Sequence, residues 1–397
     1  MNQKRKWILI FIMILAVLVC SFYWFFIYRP KINQAEASRQ KDKHLEQYLQ
    51  TRIESQQLSL NKNDDVFGDD NLVKILFIGL DSRVGVNNGH CDAIQFMEID
   101  RQKREIKITA VPRGTYAPLP KGAYLPSDYY VSNSCGLVSL EYGVEQIEKI
   151  LGQKADYLVV VGFSETMGIL RELNFPTIST MRWLRNRQSY AIGEPQRARN
   201  HSNFIKYVLV NHLEKITSKF SWPWQYLIYK IVQTDLSFGQ AQKLLKTVHD
   251  FNLKKNPTKV ILQMKPAFLV EDIIYDPDNV DSYLQKMIEP IKNKLNKDDY
   301  SDLDLRIIQE NLLKEIENKK NDQEFLRWSL ENNLWLQIEN EKKREEIHYE
   351  IISRNLNFIE EKEDRKKILA DYILEMSNRG LADYETKGKL LLAKEIE

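Results

Sequence analysis

The sequence predicts an α/β fold with a largely buried sheet, set behind a membrane helix and ahead of an all-helical C-terminal region. Three observations carry that prediction. Trp7 to Tyr28 form one uncharged apolar run; short apolar runs separated by Gly, Asp and Asn begin near Leu72; and the stretch from Ser301 onward is highly charged and free of proline.

Taken in order, the first element is the run WILIFIMILAVLVCSFYWFFIY. As a helix rising about 1.5 Å per residue it would reach about 33 Å, enough for a hydrocarbon core of roughly 30 Å. The apolar region of a signal peptide is about 7–15 residues. This run is longer, although Ala35-Glu36-Ala37 imitates a cleavage site, so a retained anchor is expected. Basic residues flank both ends (Lys4, Arg5 and Lys6; Arg29, Lys31, Arg39, Lys41 and Lys43), so charge alone does not orient the span. A short head and a long C-terminal body fit a single-pass type II protein with its body outside the cytoplasm.

The expected divisions are a tail at 1–6, the transmembrane helix at 7–28, a polar stalk at 29–65, an α/β domain at 66–268 and a charged helical region at 269–397. In the α/β domain VKILFIGL, AIQFMEI, EIKITAV and YLVVVGF read as buried strands, and Leu137 to Leu151 reads as a helix stopped by Gly152. Residues 301–397 hold 17 Lys+Arg and 23 Asp+Glu with Leu, Ile, Phe and Trp at helical intervals, as in an amphipathic bundle. Glu339 to Arg344 and Glu360 to Lys367 read as solvated helix faces, and Trp328 and Trp335, seven apart, as core positions of one helix side.

Composition limits the function. With 57 basic and 55 acidic side chains the net charge is only +2, and no basic block with interleaved aromatics is present, so nucleic-acid binding is not expected. Three cysteines and six scattered histidines contain no zinc-ligand spacing.

The chemistry-bearing residues sit at strand ends. The first strand runs into Gly79-Leu80-Asp81-Ser82-Arg83, Asp92 opens the second, and the third exits through Val111-Pro112-Arg113-Gly114-Thr115-Tyr116. Ligands of open α/β sheets bind at such mouths. Two converging carboxylates are a usual protein share of a Mg²⁺ site, though spacing alone favours turn or capping roles for Asp81 and Asp92. Arg197-Ala198-Arg199 precedes an apolar helical stretch from which guanidinium groups could fork onto phosphates.

In order, GLDSR, a Gly-x-x-Asp before a strand, VPRGTY, an Asn ahead of EQIEKILG, DYLVVVGF, RAR and VQTDLS resemble the LytR-CpsA-Psr family over roughly residues 66–265. The resemblance implies a three-layer α/β/α domain that binds a polyprenyl-phosphate carrier lipid. It also implies an enzyme that moves the linked glycan to an envelope polymer acceptor, with Mg²⁺ as cofactor. Position by position it implies metal-proximal carboxylates at Asp81 and Asp92, catalytic Arg83 and Arg113, and substrate contacts from Arg83, Arg113, Arg197, Arg199 and Asn133. Phe163, Trp222, Trp224 and Tyr226 are candidate linings for the prenyl slot, with ordinary core packing the competing reading.

The departures from the family pattern are specific. Gly114 stands where the family has an acid, Gly89-His90-Cys91-Asp92 replaces Gly-Arg-Ser-Asp, Val131-Ser132-Asn133 replaces Lys-Ile-Asn, and Asn203-Phe204-Ile205-Lys206 replaces Asp-Phe-Gly-Arg. Losing one general acid or base costs about 10²–10⁴ in rate, so a domain that binds without turnover is the alternative reading. A third is a scaffold that presents the helical tail to a protein partner. Cys91 and Cys135 fall in the two loops the family places near the site, either as a disulfide or as two thiols.

Overall fold

The computed structural model describes residues 47–56, 66–67, 71–81, 89–122, 124–187, 189–218, 222–294 and 305–396. The expected span Trp7–Tyr28, most of the stalk and Arg83 lie outside the described residues. Among the described residues no helix is long and apolar enough to cross a membrane. The chain divides into two units, Met1–Thr51 and Arg52–Glu397. Of the first, only residues 47–51 are described, and they are helical.

In the second unit six strands form one mixed sheet of order β5-β4-β1-β2-β3-β6. The four strands legible in the sequence are β1 (Leu72–Leu80), β2 (Cys91–Asp100), β3 (Glu105–Ala110) and β4 (Tyr157–Val161). β2 pairs antiparallel with both β1 and β3, while β4 lies parallel to β1. The two edges are β5 (Gln233–Thr234), antiparallel to β4, and β6 (Val260–Met264), parallel to β3. Neither has a plain sequence signal: β5 has two residues, and β6 alternates buried Val260 with exposed Ile261 as an edge strand does.

Alternation in the central strands sends side chains to two covered faces. Leu76, Ile78, Ile94 and Phe96 are buried on one parity. That side has α1 (Val131–Leu137), which packs on β2, and α2 (Leu140–Leu151), which buries Val144, Ile147 and Leu151. Ser139 caps α2 by accepting from Tyr142 N at 3.1 Å, and Gly152 ends it at φ 70°, a left-handed conformation that suits glycine. The helix expected over Leu137 to Leu151 thus begins at Leu140, after Leu137 closes α1 and Val138 breaks the chain between them.

A disulfide joins Cys91 at the start of β2 to Cys135 in α1, with Cα atoms 5.9 Å apart. Gly143 of α2 passes directly beneath it. A Cβ at that position would fall inside van der Waals contact of Cys135 Sγ, so only glycine lets α2 approach.

On the opposite parity Val73, Ile75, Met97, Ile99, Tyr157 and Val159 are joined by side chains of α5 (Gly193–Asn211), α6 (Leu213–Ser218) and α8 (Phe238–Asp250). Between α6 and β5 lies α7 (Trp222–Lys230). The VQTDLS segment is structural. Asp235 is buried and accepts from Leu158 N at 2.7 Å and from Arg52 Nε at 2.5 Å, while Ser237 and Gln240 form a capping box that starts α8.

Beside the sheet, α3 (Phe163–Glu172), α4 (Thr177–Arg185) and α9 (Val280–Ile288) share a cluster centred on Tyr275. Trp183, Phe175 and Phe204 meet Tyr275 edge-on at centroid distances of 5.2, 5.8 and 5.0 Å. The segment Ile273 to Ile288, grouped with the tail by its sequence, therefore packs with helices of the α/β core.

The remainder is helical as composition predicts: α10 (Leu305–Lys319), α11 (Gln323–Glu331), α12 (Glu341–Asn355), α13 (Lys362–Asn378) and α14 (Ala382–Ile396). Two expectations need correction. Trp328 and Trp335 both join one apolar cluster but not one helix face, because α11 ends at Glu331 and Asn333 turns the chain at φ 45° into a 3-10 turn, Leu334–Gln337. The run Glu339 to Arg344 is not wholly solvated. Arg344 is buried with Glu345 and donates to Ile338 O at 3.1 Å.

The disulfide closes a sequence separation of 44 residues. Constraining a loop of that size stabilises by about 2–4 kcal/mol. Guanidinium unfolding of Cys135→Ser should show a loss in that range, and reductant should bring the parent down to the variant.

Candidate functional site

The site is built where β1 ends and β2 begins. Gly79 faces Ala93 so closely that a Cβ would lie 2.9 Å from the alanine Cβ, and the register shifts between Gly79 and Leu80. The shift carries Asp81 and Asp92, on neighbouring strands, to the rim of one cavity of about 560 Å³. Below the rim the walls are almost wholly apolar: Phe77 and Val161 from the sheet, Phe163 and Leu170 from α3, Val208 from α5 and Leu245 from α8.

The rim is a chain of charges. Arg113, on the loop leaving β3, donates from Nη1 to Asp92 Oδ1 at 2.5 Å and from Nε to Glu194 Oε1 at 3.1 Å. Arg187 donates to the same Glu194 oxygen at 2.6 Å. Arg197, one turn along α5, lies 3.2 Å from Glu194 Oε2 and donates to the Asp92 backbone carbonyl at 3.2 Å. Arg185 lies 3.5 Å from Asp81 Oδ1 and its guanidinium covers the Phe163 ring at 5.5 Å. Four guanidinium groups (Arg113, Arg185, Arg187, Arg197) thus meet three carboxylates (Asp81, Asp92, Glu194).

Burial alone would raise the Asp92 pKa, but Arg197 and Arg113 outweigh it and hold the carboxyl below its ordinary range. Burial dominates at Arg197, whose pKa falls to about 10 despite Glu194 and Asp92; it stays a cation at neutral pH. His201 also lines the cavity. Its Nε2 lies 2.7 Å from Leu184 O and must carry the proton there, since a carbonyl only accepts. Burial, followed by Arg197, lowers its pKa to about 4, so the ring is neutral.

Of the residues singled out in the sequence, Asp81, Asp92, Arg113 and Arg197 come together. Arg83 lies outside the described residues. Arg199 is held by Asp272 through two hydrogen bonds, at 2.6 and 3.1 Å, and does not line the cavity. Asn133 stands in α1 next to Ser132, whose N–H donates to Arg113 O at 3.1 Å; it belongs to the loop's support and not to the cavity lining. Phe163 lines the cavity, whereas Tyr226 packs on Phe238 at 5.5 Å, and nothing is described of the Trp222 and Trp224 side chains.

Sequence reasoning missed Glu194, Arg185, Arg187 and His201. The run Met181-Arg182-Trp183-Leu184-Arg185-Asn186-Arg187 was a signal for the arginines, three bases in six positions at a helix end. Glu194 looks like an ordinary acid of a helix first turn.

Asp81 and Asp92 are a donor set that fits Mg²⁺, which takes one or two carboxylates and completes its shell with water and phosphate oxygens. Among the described residues no three His, Cys, Asp or Glu side chains gather as a closed metal site.

Helix α3 joins this cavity to the tail. Its Phe163, Thr166, Ile169 and Leu170 line the cavity, while other positions meet the 3-10 turn Leu334–Gln337. Asn333 donates to Glu165 at 2.6 Å, Gln337 to Ser164 at 2.9 Å, and Arg171 twice to Leu336 O at 3.0 Å. A Cβ on Gly168 would come within 2.9 Å of Leu336 Cδ1, so the leucine side chain packs on the helix backbone there.

The site therefore combines an apolar cavity with a guanidinium-rich rim. The family comparison agrees with the motifs: residues 28–173 match the model of the LytR_cpsA_psr family. Similar solved structures include B. subtilis TagV, at 14% identity, covering 55% of this chain and 96% of that one with a TM-score of 0.39. TagT bound to LI-WTA has 12% identity, 55% and 90% coverage and a TM-score of 0.37. A transcriptional regulator from Enterococcus faecalis has 10% identity, 55% and 87% coverage and a TM-score of 0.39. No curated protein matches the sequence.

Burial raises the Glu165 pKa to about 7, against the hydrogen bond from Asn333. A carboxyl whose folded pKa is raised contributes stability that is full below its unfolded value and lost as pH climbs through the folded one. Between about pH 4.5 and 7 that loss is about 3 kcal/mol. Urea unfolding of Glu165→Gln, which keeps an acceptor for Asn333, should lack this component, so the variant gains on the parent from pH 5 to pH 8. An unchanged difference would remove the assignment.

Proposed function

We propose that the chain is a membrane-anchored phosphotransferase that attaches a polyprenyl-pyrophosphate-linked glycopolymer to a cell-envelope acceptor. The observation that carries this reading is the continuity of the apolar cavity with a rim of four guanidinium groups and three carboxylates. The family match supports a role with cell-wall glycopolymers. The apolar run Trp7–Tyr28 supports the anchor, and the Cys91–Cys135 disulfide supports a body in an oxidising compartment outside the cytoplasm.

In this mechanism the prenyl chain enters between sheet and helices, and its burial excludes water from the rim. Arg113 and Arg197 exchange part of their carboxylate contacts for diphosphate oxygens, with Arg187 and Arg185 adding charge. Arg83 is the further diphosphate contact the family pattern implies; Arg199, implied with it, is paired with Asp272 instead. Mg²⁺ held by Asp81 and Asp92 would neutralise charge on the same phosphates. An acceptor hydroxyl attacks the glycan-bearing phosphorus, its proton passing to a rim carboxylate. The P–O bond to the other phosphate breaks, and polyprenyl phosphate leaves with the bond's electron pair.

Mass spectrometry of lipid extracted from the detergent-purified full chain tests this directly. Polyprenyl phosphate should co-purify with the parent and be lost from Leu245→Trp, which fills the cavity, and from the Arg113→Ala, Arg197→Ala pair. Absence of prenyl lipid from folded parent protein overturns the reading.

Gly114 favours a second reading, a domain that holds the lipid without turnover. The position an acid takes in the family is empty here, yet open: nothing lies within 4 Å of a Cβ placed there. Gly114→Asp should therefore fold normally. Under the binding-only reading it raises Mg²⁺-dependent transfer from background by about 10²-fold, the contribution of one acid or base; if the parent already transfers, the change is small.

A further inference from the structure

The end of the sheet opposite the rim has a chemistry of its own. The β2–β3 hairpin (residues 101–104), the loop into β4 (residues 152–156) and the loop into β6 (residues 252–259) lie there, strung across the neighbouring strands β4-β1-β2-β3-β6. At about 4.8 Å between strands they extend over about 20 Å. Arg101 N donates to Asn71 O at 2.8 Å and Asp156 N to Lys74 O at 2.9 Å, which fixes the first two beside the start of β1.

Residues 100–105, 153–156 and 252–259 hold seven Lys and Arg against three Asp and Glu. Each of those acids is occupied: Asp100 by Lys103 N at 2.8 Å, Glu105 by Lys259 Nζ at 2.7 Å and Asp156 by Lys74 N at 2.8 Å. Arg104, Lys154 and Lys255 are exposed and, among the described residues, have no carboxylate partner. Residues 301–397 hold 17 Lys+Arg and 23 Asp+Glu, so the near-neutral total of the chain conceals a basic end.

The chain also enters the second unit at this end. Arg52, where that unit begins, donates from Nη2 to Ala155 O and Asp156 O, both at 3.2 Å, and Gln56 donates to Asp156 O at 2.9 Å. These acceptors directly follow Lys154. Residues 29–51 separate Arg52 from the expected anchor run Trp7–Tyr28.

A small anion needs donors that converge on a point, whereas exposed cations spread over about 20 Å suit an extended anionic plane. We infer that the sheet end bearing Arg104, Lys154 and Lys255 docks on the anionic headgroups of the bilayer that holds the anchor. The inference rests on the anchor in the proposed function and is independent of the phosphotransferase chemistry. Each exposed cation contributes about fivefold to such docking, an effect that fades over a Debye length of about 10 Å at 0.1 M salt. β1 runs from this end to the rim in nine residues, about 30 Å at 3.3 Å each. Docking therefore holds Asp81, Asp92 and Arg113 about 30 Å beyond the headgroups, on the side of an acceptor outside the membrane.

Amide hydrogen exchange of the full chain tests this, in nanodiscs of phosphatidylcholine alone and of phosphatidylcholine mixed with phosphatidylglycerol. In the anionic discs the amides of residues 101–104 and 252–259 should exchange at least about fivefold more slowly than in the neutral discs, while those of the rim loop at 113–117 do not change. Salt at about 1 M should abolish the difference. So should the triple variant Arg104→Gln, Lys154→Gln, Lys255→Gln, which weakens docking about 10²-fold; Arg104→Lys, Lys154→Arg, Lys255→Arg keeps the charges and should keep the protection. Unchanged exchange in β2 and β3 shows that each variant folds. Equal exchange of the parent in the two discs, full protection in the glutamine variant, or protection at the rim loop instead would overturn the docking. Failure of the chain to enter either disc would overturn the anchor and the docking together, whereas prenyl lipid on a chain that inserts without protection would overturn the docking alone.

Discussion

The rim of the cavity depends on Asp92 and the two guanidinium groups that meet it. An unpaired charge buried to this extent costs several kcal/mol, so the start of β2, the loop leaving β3 and the first turns of α5 are each fixed by the need to bring their charge to the others. The compensation is incomplete. Burial lowers the Arg197 pKa more than Glu194 and Asp92 restore it. At Arg113 the balance is the reverse, Asp92 and Glu194 raising its pKa against burial, so the same carboxylates serve the two arginines unequally.

The same elements leave the sheet face unfilled beneath that rim. A sheet must be covered, and α5, α6 and α8 close the far end over Ile99, Val248 and Leu213. Nearer the rim the walls stand apart, with apolar atoms lacking partners on the cavity side. Dispersion contacts forgone there are recovered by an apolar occupant. Charge above and apolar surface below are thus combined in one cavity, the property on which the proposed function rests.

Much of this was legible in the sequence because the central strands are long, apolar and bounded by turn residues, a pattern that depends on local chemistry. Asp81, Asp92, Arg113 and Arg197 were legible as strand-end or helix-start charges. Glu194, Arg185 and His201 were not, since their role arises only when α4 and α5 fold over the sheet edge. Arg199 has the same chemistry as Arg197 two positions away, but two residues along a helix turn the side chain by about 200°, and it meets Asp272 instead. The six-strand order escaped prediction for a related reason: β5 and β6 pair with strands far away in sequence, and edge strands lack a continuous apolar signature.

The helical tail gains its meaning from α3. One side of this ten-residue helix forms a wall of the cavity, and the other supplies Ser164, Glu165, Gly168 and Arg171 to the turn at Leu334–Gln337. Close-packed interiors transmit displacement because they have no slack to absorb it. At Gly168 the Leu336 side chain packs directly on the α3 backbone, where a Cβ would crowd it. Thr166, the residue after Glu165, is itself in the cavity wall. One helix thus carries both a wall of the cavity and the seat of the helical region, and Glu165, whose pKa burial raises to about 7, lies at that seat.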